Sequence, residues 1–290
     1  MNQHLNNHDT HDNHNEGGMC MNKNFNTNQN RDMDLPALHT LEGCILPTQE
    51  ELFAALLEKY GERAIACRGQ FILVPGEAPV LLLAHLDTVH LERVREIIRE
   101  EDRLSSPQGI GGDDRCGVYA ITKVYDLAAV KPWLLYTCNE EIGCVGARHF
   151  AALYDCAAFP KRIMDGLAGV KCLIEIDRKG SNDAVYYDCF NPAFEDYISG
   201  KGFVTEWGSS SDIKQIGPVM NRASVNLSSG YYNAHRLYEY IVPSEVENTV
   251  QRVLEIAADS LSSDFPVYVH QGRDDPEDLD GWGDWYPYGA

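Results

Sequence analysis

An apolar run that ends in polar residues constrains the fold of this chain most strongly. Val80–Ala84 is apolar throughout and follows the turn-forming segment Pro75–Pro79. Such a run is typical of a strand that is buried on both faces, as in the parallel sheets of α/β proteins. His85 and Asp87 follow with one residue between them, so they point to the same side of the chain. A histidine and a carboxylate so placed favour a metal ligand and the residue that orients it, although a purely structural histidine also fits the run.

Two further apolar runs end in acidic residues. Trp133–Cys138 leads into Glu140 and Glu141, and Cys172–Ile176 leads into Asp177. Stripes of apolar residues at helical spacing separate these runs. The alternation of strands and helices predicts one three-layer α/β domain with a mostly parallel mixed sheet between layers of helices.

Two predicted helices carry the same start signal. Thr48 and Glu51 form a capping-box pattern ahead of a helical stripe. Ser244 and Glu247 repeat that pattern in a long amphipathic helix predicted over residues 243–261.

Composition divides the chain into one folded domain and two tails. Residues 1–35 are rich in Asn, Asp and His and poor in large apolar residues, which is typical of disorder. Residues 36–263 are predicted as the domain, and residues 264–290, rich in acids and aromatics, as an irregular surface tail. Within the domain, residues 35–46 are predicted as irregular chain and residues 94–104 as a β-hairpin arm.

The charge and cysteine content limit the partners and the compartment. The net charge of −20 argues against nucleic acid or an anionic membrane as a partner. No apolar run is long enough to cross a membrane, and no secretory signal is visible, so neither is expected. Nine cysteines without a repeating spacing favour reduced thiols and a cytoplasmic location.

Five possible metal ligands follow predicted strand ends or lie in the loops beyond them. They are His85, Asp113, Glu141, Asp177 and His235. Sites in open α/β sheets form beyond the carboxyl ends of the strands, so these distant residues can meet in one crevice. Two imidazoles and three carboxylates suit zinc or a similar divalent ion. One catalytic zinc usually takes three protein ligands, so five fit two ions that share a carboxylate and a charge-balancing bridging hydroxide.

Several of these residues have an alternative role when considered singly. The pair Asp113 and Asp114 would serve equally well as a helix N-cap after the glycines. Glu140 and Glu141 would serve as a solvated pair, and Asp177 as the ion-pair partner of Arg178. The combination of all five, rather than any one of them, favours a metal centre.

The order of the motifs resembles a known group of enzymes. HLDTV, GGDDRCG, NEEIGCVGA and EIDRKG, followed by His235, are similar to the motifs of the co-catalytic di-zinc exopeptidase clan. That clan includes zinc aminopeptidases, carboxypeptidases, tripeptidases and aminoacylases. The resemblance covers roughly residues 80–240 and implies the phosphorylase/hydrolase-like architecture of zinc exopeptidases, with residues 36–263 as a di-zinc hydrolase domain.

The resemblance also implies how the ligands divide between two ions. Asp113 would bridge both metals. His85 and Asp177 would complete the shell of one, and Glu141 and His235 would complete the shell of the other. The ions would be zinc in the first place, with cobalt or manganese as alternatives.

Further roles follow from the same resemblance. Asp87 would orient His85, Glu140 would be the general base, and the peptide bond between Asp113 and Asp114 would be cis. Only 28 positions separate His85 from Asp113, and 58 separate Asp177 from His235. The inserted domains of some clan members do not fit in these intervals, so a compact form without a dimerisation domain is expected.

The function implied is that of a metal-dependent exopeptidase, in the first place an aminopeptidase acting on short peptides. Tyr231 or Tyr232 would stabilise the oxyanion, and Asp212, in a serine-rich loop, would shape the substrate pocket, although ordinary surface or packing roles fit these residues equally well. An N-acyl amino acid amidohydrolase on the same scaffold is the alternative, followed by a non-catalytic metal-binding protein. A small peptide is the expected partner, and the sequence leaves self-association open.

Overall fold

The three apolar runs form neighbouring strands at the centre of one sheet. The computed structural model describes residues 36–187 and 191–266. The strands are β1 (Ile65–Cys67), β2 (Phe71–Val74), β3 (Ala78–His85), β4 (Ile98–Glu100), β5 (Arg103–Ser105), β6 (Pro132–Thr137), β7 (Cys172–Arg178), β8 (Asp183–Val185), β9 (Val204–Thr205), β10 (Ala223–Ser228), β11 (Tyr231–Tyr232) and β12 (Tyr240–Ile241). The helices are α1 (Leu41–Ile45), α2 (Gln49–Tyr60), α3 (Gly112–Leu127), α4 (Val145–Asp155), α5 (Lys161–Ala168), α6 (Pro192–Gly200), α7 (Asp212–Met220) and α8 (Pro243–Asp259).

The main sheet has eight strands in the order β1-β2-β6-β3-β7-β10-β8-β9. Its four central strands, β6, β3, β7 and β10, run parallel to one another. Antiparallel pairs occur towards the edges, where β2 joins β6 and β8 joins β10. The predicted mostly parallel mixed sheet is therefore confirmed.

Helices cover both faces of this sheet. On β3, Leu82 points into a core cluster that includes residues of α2, α3 and α8. Its neighbours Leu81 and Leu83 point into a second cluster, which includes residues of α4, α5 and α7. Because successive side chains of a strand alternate, a strand buried on both faces must be apolar at every position, as this one is. The predicted three-layer α/β domain is confirmed.

A smaller sheet lies beside the ends of the central strands. It has four strands in the order β11-β12-β5-β4. The hairpin of β4 and β5 spans residues 98–105, so the predicted arm at residues 94–104 is present with slightly shifted bounds. This sheet fixes the two ends of the loop between β11 and β12, which carries His235.

The two predicted capping boxes have different outcomes. Thr48 and Glu51 form one at the start of α2, as expected. The prediction for Ser244 and Glu247 is wrong, because α8 begins at Pro243 with Val242 as its N-cap and without a side-chain cap. Ser244 therefore lies in the first turn and its hydroxyl donates to Asp102, while Glu247 accepts from Lys123 and Tyr119.

The margins of the domain also differ from expectation. Residues 41–45, predicted as irregular chain, form helix α1, because Thr40 caps it and Leu41 and Ile45 are buried. Phe265 is buried against Tyr197, so packing continues past residue 263. The predictions for residues 1–35 and for most of the C-terminal tail lie outside the described residues.

Two further observations bear on compartment and membrane. Within the residues described, no helix has the length and apolar character needed to span a bilayer. Cys44, Cys116, Cys138, Cys144 and Cys172 are buried free thiols. A cytoplasmic location stays a prediction.

Candidate metal centre

The sheet brings the five predicted ligands to one edge. His85 is the last residue of β3, Asp177 lies at the end of β7, and Glu141 lies in the loop after β6. These three strands are parallel neighbours, so their carboxyl ends lie side by side. Asp113 enters from the start of α3, and His235 enters from the loop between β11 and β12.

The carboxylate of Asp113 lies between the two histidines. Its Oδ1 is 3.2 Å from Nε2 of His85, and its Oδ2 is 3.2 Å from Nε2 of His235. Nε2 of His85 is also 3.6 Å from Oδ1 of Asp177, and Nε2 of His235 is 3.2 Å from Oε2 of Glu141. Among the described residues, four groups of possible ligands form, each with its donor atoms within 4.8 Å of one another. Asp113 belongs to two of them, one with His85 and Asp177 and one with Glu141 and His235. Glu140 belongs to the other two, one with His85 and Glu141 and one with Cys144 and Asp212.

The residues in these groups fit divalent ions. Imidazole nitrogen and carboxylate oxygen are the donors that zinc and similar ions accept. Oε1 of Glu141 is buried without a hydrogen-bond partner among the described residues, as expected of a donor atom that faces a cation. His85 is fully buried, yet its Nε2 is surrounded by carboxylate oxygens.

The electrostatics of the metal-free chain agree with this fit. Burial and the charge of Asp113 raise the pKa of Asp177 well above its usual range and that of Glu141 to about 7. The hydrogen bond to Asp113 raises the pKa of His235 to about 9. Burial lowers the pKa of His85, but the charge of Asp177 and several carboxylate contacts outweigh it and raise the pKa overall. Buried carboxylates this close repel one another, and a bound cation relieves that repulsion.

Asp114 takes the helix-capping role that was the alternative for the pair Asp113 and Asp114. Its Oδ1 accepts the backbone N–H of Gly117 at 3.0 Å, and its Oδ2 accepts that of His85 at 3.2 Å. The peptide bond between Asp113 and Asp114 is cis, as expected from the resemblance. Asp114 thus ties the start of α3 to the end of β3, and the carboxylate of Asp113 faces the histidines.

A residue that the sequence analysis missed holds the backbone of Asp113. Oε1 of Glu239 accepts the N–H of Asp113 at 2.9 Å, and its Oε2 lies 2.8 Å from Nε2 of His90. Glu239 is fully buried. It is the one charged residue within the apolar and aromatic segment 237–242, which is a sequence signal for a buried carboxylate but not for its contact with Asp113.

Asp87 contacts both the histidine and the acidic loop. Its Oδ1 lies 3.4 Å from Nδ1 of His85 and accepts the N–H of Glu140 at 3.0 Å. Its Oδ2 accepts the N–H of Glu141 at 3.1 Å. Burial raises the pKa of Asp87, but His85 and the two N–H donors outweigh it, so the pKa lies below its usual value. One carboxylate therefore holds the end of β3 and the loop after β6 together.

Glu140 lies beside the five clustered residues. Its Oε2 is 4.0 Å from Nε2 of His85, and its Oε1 accepts the thiol of Cys144 at 3.5 Å. Its side chain lines the cavity into which the cluster opens. It is a carboxylate at the edge of the site, next to the space that a substrate would occupy.

A second set of residues missed from the sequence supports Asp177. Oγ of Ser211 lies 3.1 Å from Oδ2 of Asp177 and 2.5 Å from Oε2 of Glu175. Oδ1 of Asn226 accepts the N–H of Asp177 at 2.9 Å. Glu175 is fully buried, and burial and the charge of Asp177 raise its pKa well above its usual range.

The three predicted substrate contacts lie in different surroundings. The hydroxyl of Tyr231 is 3.4 Å from Oδ1 of Asp177, and the residue lines the cavity. The hydroxyl of Tyr232 donates to Glu245, away from the cluster. Asp212 is not in a loop but begins α7, where it is buried against Thr137 and does not line the cavity.

Known proteins match this chain in structure. No protein-family model matches the sequence, and no curated protein matches it. Aminopeptidase PepT from Bacillus cereus superposes with a TM-score of 0.57 at 12% identity, over 79% of this chain and 100% of that one. A tripeptidase from Staphylococcus aureus gives 0.55 at 12% identity, over 78% and 99% of the two chains. The TET1 peptidase of Pyrococcus horikoshii gives 0.52 at 12% identity, over 75% and 99%.

These likenesses establish the fold. Nearly the whole length of each of those chains is covered, and the shared architecture is the one that the motifs implied. The resemblance to the co-catalytic exopeptidase clan is therefore confirmed at the level of fold. The chain has the fold of these aminopeptidase and tripeptidase structures.

Proposed function

We propose that this protein is a divalent-metal-dependent exopeptidase, of the aminopeptidase type, that hydrolyses short peptides. The observation that carries this proposal is the position of Asp113. Each of its two oxygens faces a different histidine, and each histidine is paired with a further carboxylate. A shared carboxylate between two ligand sets is what a two-metal hydrolytic centre requires.

The proposed ligands are those that lie together. His85, Asp113 and Asp177 would hold one ion, and Asp113, Glu141 and His235 would hold the other. Zinc is the proposed metal, with cobalt or manganese as alternatives. When bound, two such ions lower the pKa of water to near neutrality and polarise a scissile carbonyl.

Glu140 is the proposed general base. Its carboxylate takes the proton from the attacking water and passes it to the leaving amine. Two contacts hold it for this task, the backbone hydrogen bond to Asp87 and the thiol of Cys144. Tyr231, at the wall of the same cavity, is the proposed oxyanion donor, because its hydroxyl already reaches the cluster.

Two observations support short peptides as substrates. The cavity beside the cluster has a volume of about 260 Å³. Structures with the same fold are those of an aminopeptidase and of a tripeptidase. For this chain we propose cleavage beside a free amino terminus.

A substrate panel with metal analysis tests the proposal. Peptides with a free amine and the same peptides N-acylated are offered to protein whose metal content has been measured. The proposal expects metal-dependent release of the first residue from free-amine peptides. Cleavage of the N-acylated series alone would instead make the protein a deacylase, and bound metal without hydrolysis of either series would make it a binding protein.

Self-association is part of the proposal. The TET1 peptidase of Pyrococcus horikoshii, which shares the fold, can assemble into a tetrahedron or a large octahedral shell. Light scattering on the purified protein measures the oligomeric state directly.

A further inference from the structure

A second cavity adjoins the one beside the metal centre. The inner cavity, of about 260 Å³, is lined by Asp113, Glu140, Glu141, Asp177 and His235, among others. The outer cavity, of about 440 Å³, is lined by Lys179, Arg236, Tyr232, Tyr238 and the acidic Asp183, among others. Lys179 and Ala234 line both, so the two cavities are neighbours. The outer cavity by itself falls within the range of roughly 300–1,000 Å³ that is typical of ligand sites.

Each of two segments that contribute a proposed ligand to the cluster also carries a cationic residue nearby in the sequence. Lys179 follows Asp177 by two residues, and Arg236 follows His235 directly. An extended chain advances roughly 3.3 Å per residue, so both cations begin within about two residues of the metal centre. A short peptide whose scissile bond lies at the cluster therefore reaches them with its next one or two residues.

The two cations are available to a ligand. Lys179 and Arg236 are exposed, and neither forms an ion pair with another residue in the described part of the chain. Arg178, which lines the inner cavity, is by contrast held by Asp183 at 3.3 Å. The chain as a whole carries a net charge of −20, so two unpaired cations at one cleft are a local reversal of its charge.

We propose that Lys179 and Arg236 form a carboxylate-binding subsite in the outer cavity that holds a carboxylate of the peptide substrate. This inference rests on the proposed exopeptidase function and narrows it to peptides that present a carboxylate one or two residues from the scissile bond. Two sources offer that chemistry, the C-terminal carboxylate of a short peptide and an acidic side chain. Arginine binds carboxylates through paired hydrogen bonds, and lysine adds a point charge.

The test compares matched substrates and matched variants of the full-length, metal-loaded protein. The substrates are a neutral tripeptide with a free C-terminus, the same tripeptide as its amide, and an amide in which the last side chain is glutamate. The variants are the double substitution Lys179→Gln/Arg236→Gln and the control Lys161→Gln/Arg162→Gln. The control removes the same two charges from exposed positions of α5 that line neither cavity.

The subsite predicts a preference of about tenfold or more in kcat/KM for a carboxylate-bearing peptide over the plain amide, as expected for a charge-assisted contact. The preference should lie in KM, should be lost in the Lys179/Arg236 variant, and should persist in the control. Preference for the free acid alone identifies the terminal carboxylate, and preference for the glutamate amide identifies the side chain. Equal kcat/KM for all three substrates in the unsubstituted protein would overturn the subsite.

A binding measurement separates this inference from the proposed function. Calorimetry is carried out with a hydrolysis-resistant tripeptide of D-residues, as free acid and as amide. Tighter binding of the acid that disappears in the Lys179/Arg236 variant supports the subsite even if no peptide is cleaved. Hydrolysis without any difference in affinity between acid and amide would leave the exopeptidase standing and refute the subsite.

Discussion

At the scale of single residues, side chains of the same chemistry have different proposed tasks. Asp87, Asp113 and Asp177 are all carboxylates near His85, yet only Asp87 faces Nδ1. The other two face Nε2, the nitrogen that is left for a metal. Position around one imidazole ring thus separates the proposed orienting residue from the proposed ligands.

Replacement of Asp87 by asparagine tests the orienting role. Asp87→Asn keeps the shape but loses the charge that faces His85 and one of the two oxygens that accept N–H groups from the acidic loop. Metal affinity or activity should fall by roughly 10–100-fold, the range typical of such partners. The measurement is activity across a zinc titration, with the exposed Glu92→Gln as the control. Full activity of Asp87→Asn at limiting zinc would show that Asp87 does not act through His85.

Replacement of Glu140 by glutamine tests the general base. Glu140→Gln leaves all five proposed ligands in place, so metal content should stay at the level of the unsubstituted protein. The turnover rate should fall by at least about 10²–10⁴-fold, and added zinc should not restore it. Loss of metal in this variant would instead make Glu140 a ligand.

At the scale of elements, the site depends on close contact between α3 and the ends of the central strands. Gly117 marks that contact. A Cβ atom at this position would lie 2.1 Å from the carbonyl oxygen of Ile176 and 2.5 Å from the carboxylate of Asp114. Only glycine lets α3 approach β7 so closely.

Gly117→Ala is therefore expected to destabilise the fold. Overpacking of this kind costs typically about 1–3 kcal/mol of unfolding free energy. Gly200→Ala in α6 is the control, because nothing lies within 4 Å of its Cβ position. There, alanine should be neutral or stabilising by up to about 1 kcal/mol. Urea unfolding measures the free energy of unfolding of both variants. Equal free energies would contradict the close packing of α3 against β7 that positions Asp113.

The strands and the five clustered residues were predictable because an apolar run marks each buried strand and parallel strands end at one edge. Glu239 and Ser211 were not, because each acts through hydrogen bonds to residues that are distant in the sequence. The placement of Asp212 in a loop failed for a related reason. A run of serines is typical of a loop, but here the last of them precedes a helix that packs into the core. Contacts made by tertiary packing leave no pattern in a sequence.

At the scale of the whole molecule, metal and fold should be coupled. The cluster joins residues from β3, β7, α3 and two loops, so an ion bound there links segments far apart in the chain. An ion that binds only the folded state adds about 2.7 kcal/mol to unfolding free energy at a concentration of 100 times its Kd. Removal of metal by a chelator should lower the melting temperature, and zinc should restore it. A melting temperature that is indifferent to both treatments would contradict this coupling.

The central claim is that Asp113 is shared between two metal ions, and metal stoichiometry tests it most directly. The number of tightly bound ions per chain is measured by elemental analysis after equilibration with zinc near neutral pH. We expect two ions per chain in the unsubstituted protein. Glu141→Gln should bind one, because it loses a ligand of only one ion. Asp113→Ala should bind fewer than one, because it loses the carboxylate that both ions share. A single ion in the unsubstituted protein, or two ions retained in Asp113→Ala, would contradict the shared centre.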